Sequence, residues 1–371
     1  MSELTIVNVH ASVKMHLLAS ASALAVLALT TSFDRAWAED ADHPTVWIDL
    51  GGQLEAMQGT SGTFSAPFMS PETIPDVYGD QTFAWKQKPP RFSFGGEGKI
   101  VFQPQGADWI FAAAVRFGRS NGTKHTHYQG PPVYGTFSTG FVLPLNAAAF
   151  SDSLNSQKQS HAIIDFSAGR DVGIGKFGRS GGSTIDIGVR AAQFSSKTET
   201  TIVGRPEVQV ADTGKYATFN NYILEGHANR SFHGVGPSLA WNASAALLGN
   251  SEAGEVTVDW GINGAVLFGR QKAQVEHSTS AYNFNGNIPR RRGQTVPLYT
   301  HLHSTARSRS VTVPNLGGFA GVSMRKANAK VSLGYRADFF FGAMDTGIDA
   351  RRTSDLGFHG PFATISIGLG G

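Results

Sequence analysis

The chain has 371 residues and a formal net charge of +3, and it contains 44 glycines and no cysteine. A chain of this length can bury a large core, whereas the lack of cysteine excludes disulfide bonds and thiol chemistry. The charge is small, and the sequence has no basic stripe with interleaved aromatic residues. Nucleic acid is therefore not an expected partner.

The first 38 residues have the pattern of a secretory signal peptide. Lys14 precedes the mostly apolar segment 17–29, and Ala36-Trp37-Ala38 forms an A-x-A cleavage motif. The apolar segment is too short for a transmembrane helix, and no later run of 18 apolar residues follows it. Translation could begin at Met1 or at Met15. The sequence predicts a signal peptide at 1–38 and one exported β-domain at 39–371.

Ten segments of the exported part alternate apolar and polar residues with a period of two. Successive side chains of a strand point to opposite faces, so this period indicates strands with one apolar face. Several segments reach the ~9–11 residues that a tilted strand needs to cross a bilayer. In chain order the predicted strands are 46–56, 92–102, 109–117, 162–171, 185–192, 221–247, 256–268, 316–324, 331–344 and 363–369.

Long and short connections alternate between these segments. The turns at 104–108 and 326–329 are short, whereas the polar segments 58–91, 120–160, 196–220 and 271–310 are long. Transmembrane barrels have short periplasmic turns and long extracellular loops. The pattern therefore predicts an all-β fold, a transmembrane antiparallel up-and-down β-barrel of about ten strands with both termini in the periplasm.

Residues 221–247 leave the strand count open. Apolar residues occupy even positions up to Phe232 and odd positions from Val235, so the parity changes across His233-Gly234. Such a change indicates either a β-bulge in one long strand or a turn between two strands. A turn would place the long segment 271–310 on the periplasmic side. We therefore predict one long, bulged strand and ten strands in all, with twelve as the alternative.

Five stretches resemble a known family. They are FGRSNGTKHTH (117–127), IGVRAAQFSSKT (187–198), RSFHGVGPSLAW (230–241), VDWGINGAVLFGRQK (258–272) and the segment 334–369. They are similar to the pore-forming outer-membrane protein family of the Legionella major outer membrane protein type. The resemblance implies a general pore without a cofactor, and it offers no catalytic residue to transfer. The chain ends Leu369-Gly370-Gly371, whereas outer-membrane barrels usually end in an aromatic residue that the assembly machinery reads.

The polar faces of the predicted strands carry the candidate site residues. One interpretation is a charged pore lining that sets ion preference. The other is a lumen filled by paired charges, since small barrels fill their interiors with side chains. Arg336 and Asp338 lie on one face of one strand, where they could pair with each other. The predicted lining residues are Glu97, Lys99, Arg116, Asp165, Asp186, Arg190, Asp259, Arg336 and Asp338.

Histidines suggest neither a metal site nor an enzyme. The pairs His125/His127 and His301/His303 each offer two ligands, whereas a zinc site needs four, or three and a water. His227 lies near Glu225 in a predicted strand, but the spacing matches no nucleophile–base arrangement. We predict no bound metal, no cofactor and no catalysis.

The sequence thus predicts an outer-membrane pore that passes ions or very small solutes through a narrow charged lumen. The expected partners are outer-membrane lipid, the barrel-assembly machinery, and small solutes or ions. The alternative is a surface-exposed structural or adhesive barrel without transport, whose long loops would carry recognition. The third and least favoured hypothesis for the function is a hydrolase embedded in the barrel.

Overall fold

The computed structural model describes residues 46–59, 92–104, 107–129, 134–136, 142–144, 150–172, 182–205, 218–250, 254–285, 295–348 and 350–369. The predicted signal peptide lies outside these ranges, as do Gly370 and Gly371. Within them the chain forms strands, turns and bends and no helix. No helix in the described ranges is long and apolar enough to cross a membrane.

Ten strands of the described chain form a closed antiparallel barrel, which confirms the predicted fold and strand count. The ring order is β1-β12-β11-β10-β9-β8-β7-β6-β3-β2, and β4 and β5 form a separate two-stranded sheet. The strands are β1 (Val46–Gln58), β2 (Ser93–Phe102), β3 (Trp109–Gln129), β4 (Tyr134–Thr136), β5 (Val142–Pro144), β6 (Phe150–Asp171), β7 (Ser183–Arg205), β8 (Thr218–Asn250), β9 (Gly254–Asn285), β10 (Thr295–Lys326), β11 (Ala329–Asp345) and β12 (Thr353–Leu369).

Short connections define one end of the barrel, which we call the turn end. Residues 251–253 join β8 to β9, and two residues join β10 to β11, where Lys326 pairs with Ala329. The predicted short turn at 326–329 is therefore confirmed. The predicted loop 58–91 lies almost entirely outside the described residues.

The strands at the opposite end, the tall end, are much longer than the sequence predicts. The segments 120–160, 196–220 and 271–310 were expected to be loops, and this expectation is wrong over most of their described length. β3 continues to Gln129, β6 begins at Phe150, and β9 continues to Asn285. β8, β9 and β10 have 33, 32 and 32 residues, against 13 and 10 for β1 and β2. The wall is therefore high on one side and low on the other.

A belt of apolar side chains covers the outer face from the turn end upward. On β9, Trp260 and Ile262 point outward, followed by Val266 and Phe268, and the last three are 58%, 41% and 59% exposed. On β11, Tyr335, Phe339 and Phe341 are outward and 39–49% exposed, as the alternation predicts. Residues 256–268 alone provide the ~9–11 positions that cross a hydrocarbon core.

The belt ends at one ladder of paired residues, the border row. Above it most outward side chains are polar, for example Lys272, Gln274 and Glu276 on β9, and all three are exposed. The border row runs across six strands through Phe117, Ala162, Gln193, His233, Arg270 and Ser310.

The inner face changes in the opposite sense at about the same height. Below the border row β8 turns Ser238 and Asn242 inward, whereas above it Leu224 and Ala228 point inward and are 2% and 1% exposed. On β8 the outer face thus passes from apolar to polar while the inner face passes from polar to apolar. Other strands keep buried polar side chains above the row, such as Gln159 and Ser196.

This inversion explains the parity change in β8 and corrects the predicted bulge. β8 is one strand, as predicted, but its ladder with β7 runs from Tyr222 to Ala243 without a register shift. Its register shift against β9 lies between Ala246 and Leu248, far from His233-Gly234. The strand does not rotate at His233. Below His233 its apolar side chains face outward, and above His233 they face inward, because the exterior of the barrel changes from a lipid-type to a water-type environment.

Candidate functional site in the barrel lumen

The nine predicted lining residues all point into the barrel, and most of them meet in one layer below the border row. Eight of the nine line a cavity of about 500 Å³ in the half of the lumen nearer the turn end, and Asp338 lies beside it. The strand parity places them there, since each occupies the polar face of a strand whose apolar face lies in the belt. Their role as a pore lining stays a prediction.

Arg116 and Arg190 form the centre of a charge network. Arg190 binds Asp165 through two hydrogen bonds, from Nε at 2.6 Å and from Nη2 at 3.1 Å. Arg116 Nη1 lies 2.5 Å from Asp338 Oδ2, and its Nη2 lies 3.8 Å from Asp165 Oδ2. β3 and β11 are four strands apart in the ring, so the Arg116–Asp338 pair bridges the lumen.

The expected pairing of Arg336 with Asp338 does not occur. Arg336 instead forms an ion pair with Glu97 on β2, and Asp338 pairs with Arg116. Side chains two residues apart on one strand point the same way but are spaced along it, whereas partners on facing walls can meet end to end. Gly317 contributes to this packing, because a Cβ there would collide with the Asp338 carboxylate.

The remaining predicted residues lie closer to the turn end. Asp186 accepts a hydrogen bond of 2.6 Å from Asn242 Nδ2, and Asp259 Oδ2 lies 2.7 Å from Lys330 Nζ. Lys99 is exposed at the cavity wall, directly across the ladder from Asp49. The acidic groups of this region thus have polar or basic neighbours, and Lys99 faces water.

An apolar cluster fills the lumen above the charge network. Phe194 on β7 contacts Phe358 on β12, with ring centroids 5.6 Å apart, and these strands are opposite each other in the ring. Phe194 also packs edge-on against Phe340 at 4.6 Å and stacks near Phe232 at 5.7 Å. Phe194, Phe232 and Phe340 are at most 1% exposed. Side chains from opposite walls therefore touch at the centre of the barrel.

One layer higher, the β11–β12 connection folds across the lumen and is held by Arg307. Arg307 Nε lies 3.1 Å from Asp345 Oδ2, and its other nitrogens donate to the carbonyl oxygens of Ile348 at 2.7 Å and Gly347 at 2.9 Å. Ile348 packs against a second apolar cluster that contains Leu224. We call this connection, residues 346–348 and 350–352, the cross-strap.

Arg230 shares this layer with Arg307. It is 2% exposed and donates one hydrogen bond of 3.3 Å from Nη2 to Thr346 O. Arg230 lies above the belt, where burial lowers the pKa of its guanidinium to about 10, against the opposing effect of Asp345. At neutral pH it is therefore a charged, deeply buried side chain.

The histidines hold different positions from the lining residues. His125 Nε2 and His127 Nδ1 lie 3.1 and 2.9 Å from Asp152 Oδ1 on the outer surface of the tall end, and the pKa of Asp152 is lowered chiefly by the hydrogen bond from His127. His227 faces outward and is exposed. Within the described ranges, no group of three or more ligating side chains could hold a metal ion.

Sequence reasoning missed the apolar cluster and the two arginines above it. The inward parity of Phe194, Phe232 and Phe340 was readable, but the polar face of a membrane strand is not expected to carry Phe. Arg307 was hidden because the segment 271–310 was predicted to be a loop, and Arg230 lay on the even-numbered, apolar face of the predicted strand 221–247. The inverted parity of β8 was the signal that could have revealed this upper layer.

Comparisons with known proteins give only distant similarities. No protein-family model matches the chain, and no curated protein is significantly similar to it. The toluene transporter TbuX of Ralstonia pickettii is 10% identical, with a TM-score of 0.21, over 88% of this chain and 90% of that chain. The toluene transporter TodX of Pseudomonas putida gives 9% and 0.20, over 89% and 90%. The transport unit of the Escherichia coli autotransporter AIDA-I gives 8% and 0.24, over 91% and 96%. Similarities this low carry no functional conclusion, and the resemblance to the Legionella-type family stays an expectation.

Proposed function

We propose that this protein is an outer-membrane β-barrel whose lumen is a narrow, gated pore for ions and very small solutes. The outer-membrane location is supported by the belt, because a closed barrel satisfies all of its backbone hydrogen bonds and can expose an apolar surface to lipid. Exposed Leu316, Phe339 and Ile365 have no other partner among the described residues that would remove them from water.

The observation that carries the pore proposal is the order of layers in the lumen. A cavity of about 500 Å³ meets a network of balanced charges, and the network meets an apolar constriction formed by Phe194, Phe340 and Phe358. Hydrophobic constrictions gate channels by excluding water, and charged rings next to them select ions. The cross-strap above the constriction is a short irregular segment in an otherwise regular wall, so it is the element best suited to move.

A second candidate function is a closed structural barrel, and the same layers support it. Arg116, Arg190 and Arg336 each pair with a carboxylate, and rings from opposite walls are in contact. A lumen filled in this way stabilises the barrel whether or not a solute ever passes. The two candidates differ in one respect, since only a pore gains conductance when the constriction is widened.

Single-channel recording on refolded protein in planar bilayers separates the two candidates. We expect brief, small conductance steps from the parent and at least several-fold larger or longer openings from Phe340→Ala, which removes an inward ring. Phe339→Ala is the matched control, because Phe339 is the next residue on the same strand and points outward. Phe194→Ala provides a second inward test on the opposite side of the cluster.

The pore proposal fails if the parent and both inward variants are folded but electrically silent. If none of these three proteins shows conductance, the result supports the structural barrel. Equal gains in Phe339→Ala and Phe340→Ala would show that conductance arises from general loosening rather than from the constriction. Hydrolytic turnover of added ester or phosphate substrates by the silent protein would favour the enzyme alternative.

A further inference from the structure

One ladder of inward-facing residues in the tall half of the barrel concentrates buried polar atoms that have no partner. It crosses five strands, one layer above the aromatic cluster. The ladder consists of Gln159, Ser196, Arg230, Ala273 and Arg307, each paired with the next.

Three successive members of this ladder have unused hydrogen-bonding capacity. Gln159 Nε2 and Oε1, Ser196 Oγ, and Arg230 Nε and Nη1 are all buried without a hydrogen-bond partner among the described residues. The three side chains are 4%, 1% and 2% exposed. Paired residues on neighbouring strands lie about 5 Å apart, so these three side chains lie next to one another on the inner face. Ala273, next to Arg230 in the ladder, carries only a methyl group.

Among the described residues, two guanidinium groups and one carboxylate lie around these polar groups. Arg230 and Arg307 point into the same layer, and Asp345 is the carboxylate that faces them. Asp345 is bound by Arg307 Nε and by the backbone N–H groups of Gly347 and Arg352. Arg307 itself is saturated by Asp345 and the carbonyl groups of the cross-strap. Arg230 is left with a single long hydrogen bond to Thr346 O.

An incompletely paired guanidinium in a buried position is costly, and its free edge has a defined chemical complement. Arginine presents Nε–H and Nη–H as a planar fork that fits two oxygens of a carboxylate or phosphate. The neighbouring Ser196 hydroxyl and Gln159 amide supply further donors for a bound oxygen. The unused groups are therefore mostly donors around one positive charge, a combination that favours an anion over a neutral solute or a cation.

We propose that Arg230, Ser196 and Gln159 form a binding site for a small oxyanion, such as a carboxylate or inorganic phosphate, beneath the cross-strap. The site lies above the aromatic constriction, on the side of the tall end. Binding there needs no conduction, so the site stands or falls separately from the pore. A bound anion would also tie β6, β7 and β8 to the cross-strap through Arg230 and Thr346.

Isothermal titration of the refolded protein in detergent micelles, with inorganic phosphate and with formate as probes, tests the site. We expect one anion per chain and a weakening of at least tenfold in Arg230→Gln, since hydrogen bonds to a charged group contribute that much to affinity. Ser196→Ala should weaken binding by a smaller factor. Arg270→Gln is the matched control, because it removes the same charge from the exposed outer face of β9.

Thermal unfolding gives a second readout that does not depend on the titration. The parent midpoint should rise with phosphate concentration by mass action, and that of Arg230→Gln should not, although the variant remains folded without phosphate. The proposal is overturned if the parent binds neither probe, or if Arg230→Gln binds as tightly as the parent. Equal loss in Arg270→Gln would also overturn it, because binding would then follow net charge. Preference for phosphate or for formate identifies which oxyanion the site takes.

Discussion

At the residue scale, Phe339 and Phe340 show how one position along a strand decides the role of a side chain. Phe339 is 39% exposed on the outer face, whereas Phe340 is fully buried in the lumen. The two residues have the same chemistry and adjacent backbone, so their environments alone distinguish them. A substitution at Phe339 therefore tests whether the outer face of the barrel contacts lipid or water at that position.

Phe339→Arg should lower the free energy of unfolding in lipid by ~2–4 kcal/mol if Phe339 lies near the bilayer midplane, the value found for Arg and Lys on the lipid face of other barrels. Ser304→Arg is the control, because Ser304 is outward and exposed above the border row, opposite Glu276. Denaturant titration in lipid vesicles measures both variants. If Phe339→Arg is as stable as Ser304→Arg, the outer face at Phe339 does not contact lipid.

The Arg116–Asp338 pair should behave as a buried ion pair. Arg116→Leu leaves the Asp338 carboxylate, whose side chain is 3% exposed, without its cation and should cost ~3–5 kcal/mol. Arg116→Leu combined with Asp338→Leu should recover most of that loss, because two apolar groups replace two paired charges. A double-mutant cycle from denaturant unfolding tests this prediction. Additive losses would show that the two side chains do not interact.

Sequence patterns predicted the inward direction of the nine charged residues but not their partners. Direction follows from strand parity, which is a local property. Partners depend on ring order and stagger, which place Glu97 against Arg336 and Arg116 against Asp338. Arg336 and Asp338 were considered a possible pair because they lie near each other on one face of one strand. They do not pair, because side chains in a narrow barrel meet across the lumen.

At the element scale, β8 is the clearest case of a pattern that was seen correctly and explained wrongly. The change of apolar parity near His233 is real, and the inferred single strand is confirmed. The bulge was inferred because an apolar face was assumed to keep one environment along the whole strand. A strand that passes from a lipid-type to a water-type exterior must invert its pattern without any backbone irregularity.

The upper half of β8 should consequently respond to substitution as a soluble protein does. Leu224→Asp should destabilise the protein by at least about 3 kcal/mol, through lost apolar burial and an uncompensated carboxylate among Ile202, Ala228 and Val275. His227→Asp, three residues away on the exposed outer face, should change stability by less than about 0.5 kcal/mol. Denaturant unfolding compares the two. A similar small effect at Leu224 would mean that the upper cluster is not a packed core.

At the scale of the whole molecule, the orientation of the barrel predicts a pattern of protease sensitivity. On intact cells trypsin should cleave at Arg290–Arg292, between β9 and β10, and should spare Lys326, which ends β10 next to the two-residue turn at the opposite end. Lys272 and Arg307 should be protected although both lie in the segment expected to be a loop, because paired strands resist cleavage. Mass spectrometry of the fragments locates the cuts. Cleavage of intact cells at Lys326 would reverse the orientation.

The number of strands was predictable from the sequence, and the height of the wall was not. Ten amphipathic segments and the alternation of long and short connections are features of the membrane-crossing half, where the outer face must be apolar. β9 and β10 continue far above that half, where outward residues such as Lys272 and Glu276 are as polar as those of a loop. A polar strand differs from a polar loop only in its pairing with distant strands, and the local sequence does not show that pairing.

The border row has a consequence for how firmly the barrel is held in a bilayer. If the barrel sank, Arg270 would enter the hydrocarbon, at a cost that grows from ~0–1 kcal/mol near the interface toward ~2–4 kcal/mol at depth. If the barrel rose, Val235 and Phe268 would lose their lipid contacts at about 25 cal/mol per Å² of apolar surface. The two costs oppose each other, so together they define a preferred depth. The depth of the barrel in the bilayer is thereby set by the side chains of its own wall.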